Sequence, residues 1–257
     1  MSFPNFPDKF HEKSFVTAKD FWKYKRSIGR IPEIGPPRGV IICYSTSLFN
    51  YIIEKHSVTK IDYIFGDHFY ILEEDNKQIG ICGGFGIGAP MVAILIEELN
   101  AFGIKLFLSI GTAGSLQKKL KLGSIVICDK AIRDEGTSHH YLKPEKYSYS
   151  SKKVTKKLNE VMEKMNLDFT LGTGWTIDAP YRETYVEIEK YKKENVLTVD
   201  MEAAAIFAVA EYLNVDAGVI FTISDYLSED EWELHFHLTE KHLQTLFCIA
   251  KETINTL

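Results

Sequence analysis

The sequence of 257 residues has few cysteines, no long apolar run and no excess of positive charge. Its four cysteines lie far apart without C-x-x-C spacing, and three of them end or interrupt apolar strand-like runs, which predicts buried free thiols. No apolar stretch approaches the ~20 residues that cross a bilayer, and the polar N-terminus has no signal-peptide core. We therefore expect a cytoplasmic protein with no membrane partner.

The charge balance also limits the partners. Thirty Lys and Arg residues stand against 35 Asp and Glu residues, for a formal net charge of −5. A broad basic field that would attract nucleic acid is therefore absent from the composition. Hydrophobic residues make up 45% and charged residues 25% of the chain, which is typical of a soluble globular protein. We expect small-molecule ligands and no nucleic acid.

Strand patterns alternate with helix patterns along the chain, which favours an α/β fold with a mostly parallel sheet. The strands are predicted at Gly39–Tyr44, Ile61–Leu72, Gln78–Cys82, Lys105–Ile110, Leu122–Lys130, Leu171–Ile177 and Ala217–Ile223. Residues 1–38 hold most of the prolines and are predicted to be irregular. Since no repeat or low-complexity linker interrupts the pattern, we expect residues 1–257 to form a single domain.

The stretch Thr198–Tyr226 places two carboxylates where chemistry could use them. Asp200 is a good helix N-cap, which puts Glu202 in the first turn of an alanine-rich helix. The following buried strand is predicted to end just before Asp225. Ligands of open α/β sheets collect beyond the carboxyl ends of strands, so both carboxylates are candidates for one site. The alternatives are that Glu202 only complements the helix dipole and that Asp225 is a turn residue.

Two glycine-rich segments follow strands, GGFGIGAP at 83–90 and GTAG at 111–114. Such turns let backbone N–H groups approach an anion at a helix N-terminus. Gly84, Gly86 and Ala89 match the dinucleotide pattern G-x-G-x-x-A, but the next strand ends near Ser109 rather than in an acidic residue, so this match is weak. The two glycine-rich segments could therefore form a phosphate or sugar site, or they could simply make tight turns.

The loop Arg133–Tyr141 crowds charged and polar residues together, including His139 and His140. Adjacent histidines point apart in most backbone conformations, and no second pair of ligands has metal-site spacing. We therefore expect no metal.

Four motifs occur in one order: GFGIGAP at 84–90, SIGTAGSL at 109–116, VDMEAAA at 199–205 and ISD at 223–225. Together they resemble the nucleoside phosphorylase family of purine nucleoside phosphorylases, uridine phosphorylases and related nucleosidases, from about Val40 to the C-terminus. The resemblance implies a single three-layer α/β/α domain around a central mixed, partly barrel-like sheet. It also implies a homo-oligomer, from dimer to hexamer.

The resemblance implies cleavage of the N-glycosidic bond of a nucleoside and assigns the ribose to three residues. Met201 would pack against the sugar, and Glu202 would accept hydrogen bonds from its 2′- and 3′-hydroxyls. His11 would reach the 5′-hydroxyl in the active site of a neighbouring subunit.

The resemblance also implies how the base is held. Asp225 would act as the general acid that protonates the leaving base, and Ser224 and Gly114 would line the base with it. Uridine phosphorylases lack this Asp, so Asp225 favours a purine. A uridine-type activity remains an alternative.

Inorganic phosphate is the co-substrate that the resemblance implies, with no other cofactor, and it would meet Gly86, Ser109 and Thr112. The arginines with which this family binds phosphate are missing, since Tyr44–Ser47 and Ser109 occupy two of their places. The arginine that a neighbour lends from the segment near 66–68 is missing too. The candidate replacements are Arg133, His139, His140 and Arg182. Two alternatives remain. Water could be the nucleophile, which would make the protein a nucleoside hydrolase, or the protein could bind nucleosides without catalysis.

Overall fold

The computed structural model describes residues 4–66, 68–74, 77–227 and 232–257. The α-helices are α1 Ala18–Ser27, α2 Thr46–Lys55, α3 Ala89–Phe102, α4 Lys152–Lys164, α5 Tyr185–Lys193, α6 Ala203–Leu213 and α7 Glu240–Thr256. The strands are β1 Gly39–Cys43, β2 Val58–Lys60, β3 Phe69–Glu74, β4 Lys77–Gly83, β5 Leu106–Ser115, β6 Ile125–Asp134, β7 Tyr147–Tyr149, β8 Phe169–Ile177, β9 Thr198–Asp200, β10 Asp216–Leu227 and β11 Trp232–Leu234.

The strands form one connected sheet that closes on itself in part. Strand β10 pairs with both β5 and β6, and the path β6-β8-β9-β5 completes a ring of five strands. Strands β1, β4, β3 and β2 extend this ring from β5, and β11 extends it from β10. The pairs β5–β10 and β6–β8 are parallel, whereas β6–β10 and β5–β9 are antiparallel. The mixed, partly barrel-like sheet that the resemblance implied is confirmed.

Helices cover the two faces of the sheet because side chains alternate along each strand. In β1, Val40 and Ile42 belong to the buried cluster that contains α3 and α6. Ile41 and Cys43 belong to a second cluster, with residues of α2, α4 and α7. These clusters form the two sides of a three-layer α/β/α arrangement. Cys43, Cys82 and Cys128 are buried free thiols, as expected, and Cys248 is an exposed one.

The prediction that residues 1–38 are irregular is wrong in part. They contain α1, whose first turn is capped by the Thr17 hydroxyl, which accepts a hydrogen bond from the backbone N–H of Asp20. The ring of Trp22 stacks on Phe102 at 5.2 Å between centroids, and its indole N–H donates to the carbonyl of Glu98 at 2.8 Å. Contact with α3 therefore stabilises a short helix that its own sequence signals only weakly.

The predicted strand Ile61–Leu72 is also wrong in its first half. Strand β3 begins only at Phe69, and Tyr63, Phe65 and Gly66 before it have positive φ angles of 66°, 44° and 64°. These backbone conformations belong to turns rather than to strands.

Strands β5 and β10 run further than predicted, so GTAG is not a turn. The two strands pair in parallel, with Thr222 beside Thr112 and Asp225 beside Gly114. A Cβ on Gly114 would come within 2.7 Å of the side chain of Leu227, so this glycine allows close packing inside the sheet. Ser224 and Asp225 consequently lie within β10, at an irregularity after Ile223, and not beyond its end.

Candidate active site

A cavity of about 570 Å³ opens where β5, β9 and β10 meet the start of α6. Its walls contain six of the site residues that the sequence predicts, which are Thr112, Gly114, Met201, Glu202, Ser224 and Asp225. The motifs that carry the family resemblance, far apart in the chain, therefore meet at one concave site of the size that takes small molecules.

Three predicted site residues are not among those that line the cavity. Ser109 is buried behind it and shares a hydrogen bond with Tyr44, which does line it. Gly86 lies in the glycine-rich turn at φ 104°, next to the lining residue Ile87. His11 is exposed in the 3-10 turn Pro7–His11, and its contact with a neighbouring subunit stays a prediction.

Asp200 organises the junction between β9 and α6. Its Oδ2 accepts hydrogen bonds from the backbone N–H groups of Glu202 and Ala203 at 2.8 and 2.7 Å. The prediction that Asp200 is the N-cap residue is wrong, because Glu202 holds that position and Asp200 ends β9, but the Asp200 side chain still satisfies N–H groups at the start of the helix. Its Oδ1 accepts from the hydroxyl of Thr176 at 2.9 Å, which ties the junction to β8. Burial raises the pKa of Asp200 to about 6 despite these hydrogen bonds. The helix itself begins at Ala203, so Glu202 precedes its first turn.

Glu202 is only 7% exposed, and its Oε1 accepts a hydrogen bond from the backbone N–H of Gly88 at 2.6 Å. Gly88 has a φ of 104° and precedes α3, so the glycine-rich turn directs this N–H at a carboxylate of the protein itself. Burial, followed by the charge of Asp200, raises the pKa of Glu202 to about 8. This shift favours the protonated form of the Glu202 carboxyl group.

Asp225 is 5% exposed, and both of its carboxylate oxygens accept hydrogen bonds. The hydroxyl of Ser224 donates to Oδ1 at 2.6 Å, and the indole N–H of Trp232 donates to Oδ2 at 2.6 Å. Glu183 lines the same cavity, and burial together with the charge of Asp225 raises the pKa of Glu183 to about 7. Two acidic groups in different hydrogen-bonding environments therefore share this part of the cavity.

The side of the cavity near β1 and β5 offers hydroxyl groups. The Tyr44 hydroxyl lies 3.1 Å from the Ser109 hydroxyl, and Thr112 lines the cavity nearby on β5. Burial and the charge of Glu202 raise the pKa of Tyr44 well above its usual value, so the phenol stays neutral and keeps its proton. Ser45 is used elsewhere, since its hydroxyl caps α2 by accepting from the N–H of Leu48.

The cavity is acidic. Four carboxylic residues line it, and none of the lining residues that the structure describes is Lys, Arg or His. The four are Glu183, Asp200, Glu202 and Asp225. A bound dianion would therefore meet hydroxyl and backbone N–H donors rather than fixed positive charge.

The candidate replacements for the missing arginines lie elsewhere. Arg133 is buried and holds its own loop together, donating to the Ser138 hydroxyl at 2.9 Å and to the carbonyls of Ser138, Leu142 and Lys143. His139 contacts the carbonyl of Arg133 through Nε2 at 3.0 Å. His140, whose Nδ1 lies 3.0 Å from the ammonium of Lys9, and Arg182, in the 3-10 turn Pro180–Arg182, do not line the cavity either.

Some cavity residues could not be assigned from the sequence. Trp232 reaches Asp225 only because β11 pairs back along β10, with Trp232 opposite Leu227. Glu183 stands in a polar segment that follows the predicted strand Leu171–Ile177, and this position is the signal by which the sequence could have indicated a site residue. Tyr44 follows β1 directly, but nothing local predicted its bond to Ser109.

Neither a membrane span nor a metal cluster occurs in the described part of the chain. No helix there is both long and apolar enough to cross a membrane. No group of three or more His, Cys, Asp or Glu side chains within the same residues is arranged to hold a metal ion.

Comparisons with known proteins show which family the chain belongs to. Residues 40–251 match the model of the phosphorylase superfamily. The chain is 33% identical over 136 residues to a guanosine phosphorylase of Halorubrum lacusprofundi, and this match covers 53% of the chain and 56% of the relative. It is 30% identical over 177 residues to a purine nucleoside phosphorylase of Plasmodium vivax, covering 67% of the chain and 72% of the relative.

Solved structures show the same fold. A uridine phosphorylase from Vibrio fischeri aligns with a TM-score of 0.73 at 22% identity, covering 86% of this chain and 93% of that one. The curated guanosine phosphorylase is matched over little more than half of its length, whereas the family model covers most of this chain. The chain belongs to the phosphorylase superfamily.

Proposed function

We propose that this protein cleaves the N-glycosidic bond of a purine nucleoside by phosphorolysis, releasing the free base and ribose 1-phosphate. The observation that carries the proposal is the meeting of Glu202 and Asp225 in one nucleoside-sized cavity. The names of the relatives, guanosine phosphorylase and purine nucleoside phosphorylase, support the same reaction.

Glycosidic cleavage develops positive charge on the ribose and negative charge on the leaving base. Glu202 is positioned to accept hydrogen bonds from ribose hydroxyls, with Met201 packing on the sugar, which orients the C–N bond for cleavage. Asp225 delivers a proton to the base as the C–N electron pair moves onto it. Glu183 adds a second carboxyl group to this part of the cavity, and Gly114 and Ser224 line the base with Asp225.

Phosphate is the nucleophile in this proposal, and no other cofactor takes part. The hydroxyls of Tyr44 and Thr112 and the N–H groups of the glycine-rich turn near Gly86 are its donors, and Ser109 supports the Tyr44 hydroxyl through their hydrogen bond. Hydroxyl and backbone N–H groups bind oxyanions through directed hydrogen bonds, and they do so without the bidentate charge of arginine.

We also propose that residues 1–257 act as a single domain in a cytoplasmic homo-oligomer. In that assembly His11 of one subunit contacts the ribose in a neighbour's cavity. The exposure of His11 away from the cavity of its own subunit supports this arrangement.

Base release from guanosine, inosine, adenosine and uridine, with and without inorganic phosphate, tests the proposal. Phosphate-dependent release of purine bases is the expected result. Equal release without phosphate would overturn phosphorolysis in favour of hydrolysis, and faster release of uracil would overturn the purine assignment. Binding of nucleosides with no base released under either condition would indicate a binding protein.

A further inference from the structure

Trp232 contacts the proposed general acid directly. Its indole N–H donates to Oδ2 of Asp225 at 2.6 Å, while the Ser224 hydroxyl donates to Oδ1 at the same distance. Hydrogen bonds this short to a carboxylate are of the charge-assisted kind. Both donors are neutral, so they orient the carboxyl group without contributing an opposing charge.

The main chain fixes the position of this tryptophan. Trp232 lies in β11 opposite Leu227, and Leu234 lies opposite Asp225 itself, so the indole and the carboxylate belong to paired strands. The backbone N–H of His235 also donates to the carbonyl of Ser224 at 3.0 Å. The Trp232 side chain is 50% exposed and lines the cavity, so it stands between solvent and the acid.

The two donors differ in what they can do when the acid carries its proton. An indole N–H only donates, so it competes with a proton on Oδ2. A hydroxyl donates or accepts, so Ser224 can turn and accept from a proton on Oδ1. The transferable proton is thereby favoured on Oδ1.

We propose that Trp232 is a positioning residue for Asp225, which orients the carboxyl group and stabilises the carboxylate left after proton transfer. In the step, the proton moves from Oδ1 of Asp225 to the base nitrogen that receives it, the C–N bond breaks, and its electron pair stays with the base. An oxygen of inorganic phosphate supplies the electron pair for the new bond to C1′ of the ribose. The hydrogen bonds from Trp232 and Ser224 then hold the carboxylate product. The inference rests on the proposed function of Asp225 as acid.

The test compares a nucleoside that needs the acid with one that does not. In guanosine the leaving base gains a proton, whereas the base of 7-methylguanosine already carries a positive charge and leaves without one. Trp232→Phe keeps an aromatic ring and removes the N–H. We expect kcat for guanosine to fall about 10- to 100-fold, the range for loss of a hydrogen bond to a charged group, with KM nearly unchanged. The kcat for 7-methylguanosine should stay within about twofold of the wild-type value, since no proton transfer is needed.

Phe236→Leu is the matched control. Phe236 also lines the cavity and is 49% exposed, and no bond to Asp225 is described for it, so its truncation should change both substrates by a similar factor. Equal losses with both substrates in Trp232→Phe would overturn the positioning role.

A second measurement decides the inference without catalysis. The indole N–H resonance of Trp232, assigned with Trp232→Phe, should lie downfield in the wild type and move upfield in Asp225→Ala. If the chemical shift of the indole N–H is the same in Asp225→Ala as in the wild type, the hydrogen bond between Trp232 and Asp225 is refuted. If the wild type cleaves no nucleoside, the proposed function fails, and this resonance alone then decides whether Trp232 holds Asp225.

Discussion

Replacing Glu202 by Gln should stabilise the protein while it removes activity. Glu202 is buried and accepts a hydrogen bond from the N–H of Gly88, and its pKa is raised to about 8. A Gln carbonyl can accept the same bond, but it carries no charge that burial would penalise. The substitution thus removes the cost of ionising a carboxylate in this cavity.

The magnitude and its sign follow from linkage. Because the folded-state pKa of Glu202 lies above its ordinary value of 4.5, the folded protein binds more protons than the unfolded chain between the two values, and the free energy of unfolding falls as pH rises through that window. With these values the ionisation cost is about 1 kcal/mol at pH 5 and about 3 kcal/mol at pH 7. Glu202→Gln should raise the free energy of unfolding by amounts of this order at the two pH values.

Urea denaturation of both proteins at pH 5 and pH 7, at equal protein concentration and without phosphate, measures the difference. Asp200 and Glu183 titrate in the same window, so the difference between the two proteins reports the Glu202 carboxylate together with its repulsion by Asp200. The expected result is a stabilisation that grows with pH, together with loss of nucleoside cleavage. A variant that is less stable than the wild type, or whose advantage is the same at both pH values, would refute the reasoning.

Three further substitutions separate the proposed roles. Asp225→Asn should lower kcat for guanosine about 10²- to 10³-fold while sparing 7-methylguanosine, and an unchanged guanosine rate in steady-state assays would remove Asp225 from the mechanism. Tyr44→Phe should raise the KM for phosphate about 5- to 10-fold through the loss of one hydroxyl donor, with little change in the KM for nucleoside. The opposite pattern would place Tyr44 at the sugar. Arg133→Met should lower the free energy of unfolding by about 3 kcal/mol, because carbonyls in its loop lose their donor, and should leave kcat nearly intact. If the rate of Arg133→Met instead no longer saturates with phosphate, Arg133 would belong to the phosphate site.

The sequence predicted the parts of the site that short motifs carry. Met201 and Glu202 stand in one motif and Asp225 in another, and the order of the motifs implied a fold that brings them together. The same motifs implied the mixed, partly closed sheet. These features depend on local residue patterns or on the family resemblance.

Long-range pairing decided what the sequence could not predict. The glycines of 111–114 favour a turn by local preference, yet the pairing of β5 with β10 keeps them in a strand. The sequence left an anion site and a simple tight turn open for residues 83–90, and it did not predict that the N–H of Gly88 binds Glu202, which lies 114 residues further along the chain. The short helix α1 depends on packing against α3, which no pattern within residues 1–38 reveals.

The stoichiometry of the products distinguishes phosphorolysis from hydrolysis. Guanosine and inorganic phosphate are incubated with the protein while guanine is followed by absorbance and phosphorus species are followed by ³¹P NMR. The proposed function predicts that a sugar-phosphate resonance of ribose 1-phosphate grows in step with guanine, one molecule for each base released. Guanine accumulating with free ribose, and with no change in the phosphorus spectrum, would contradict it.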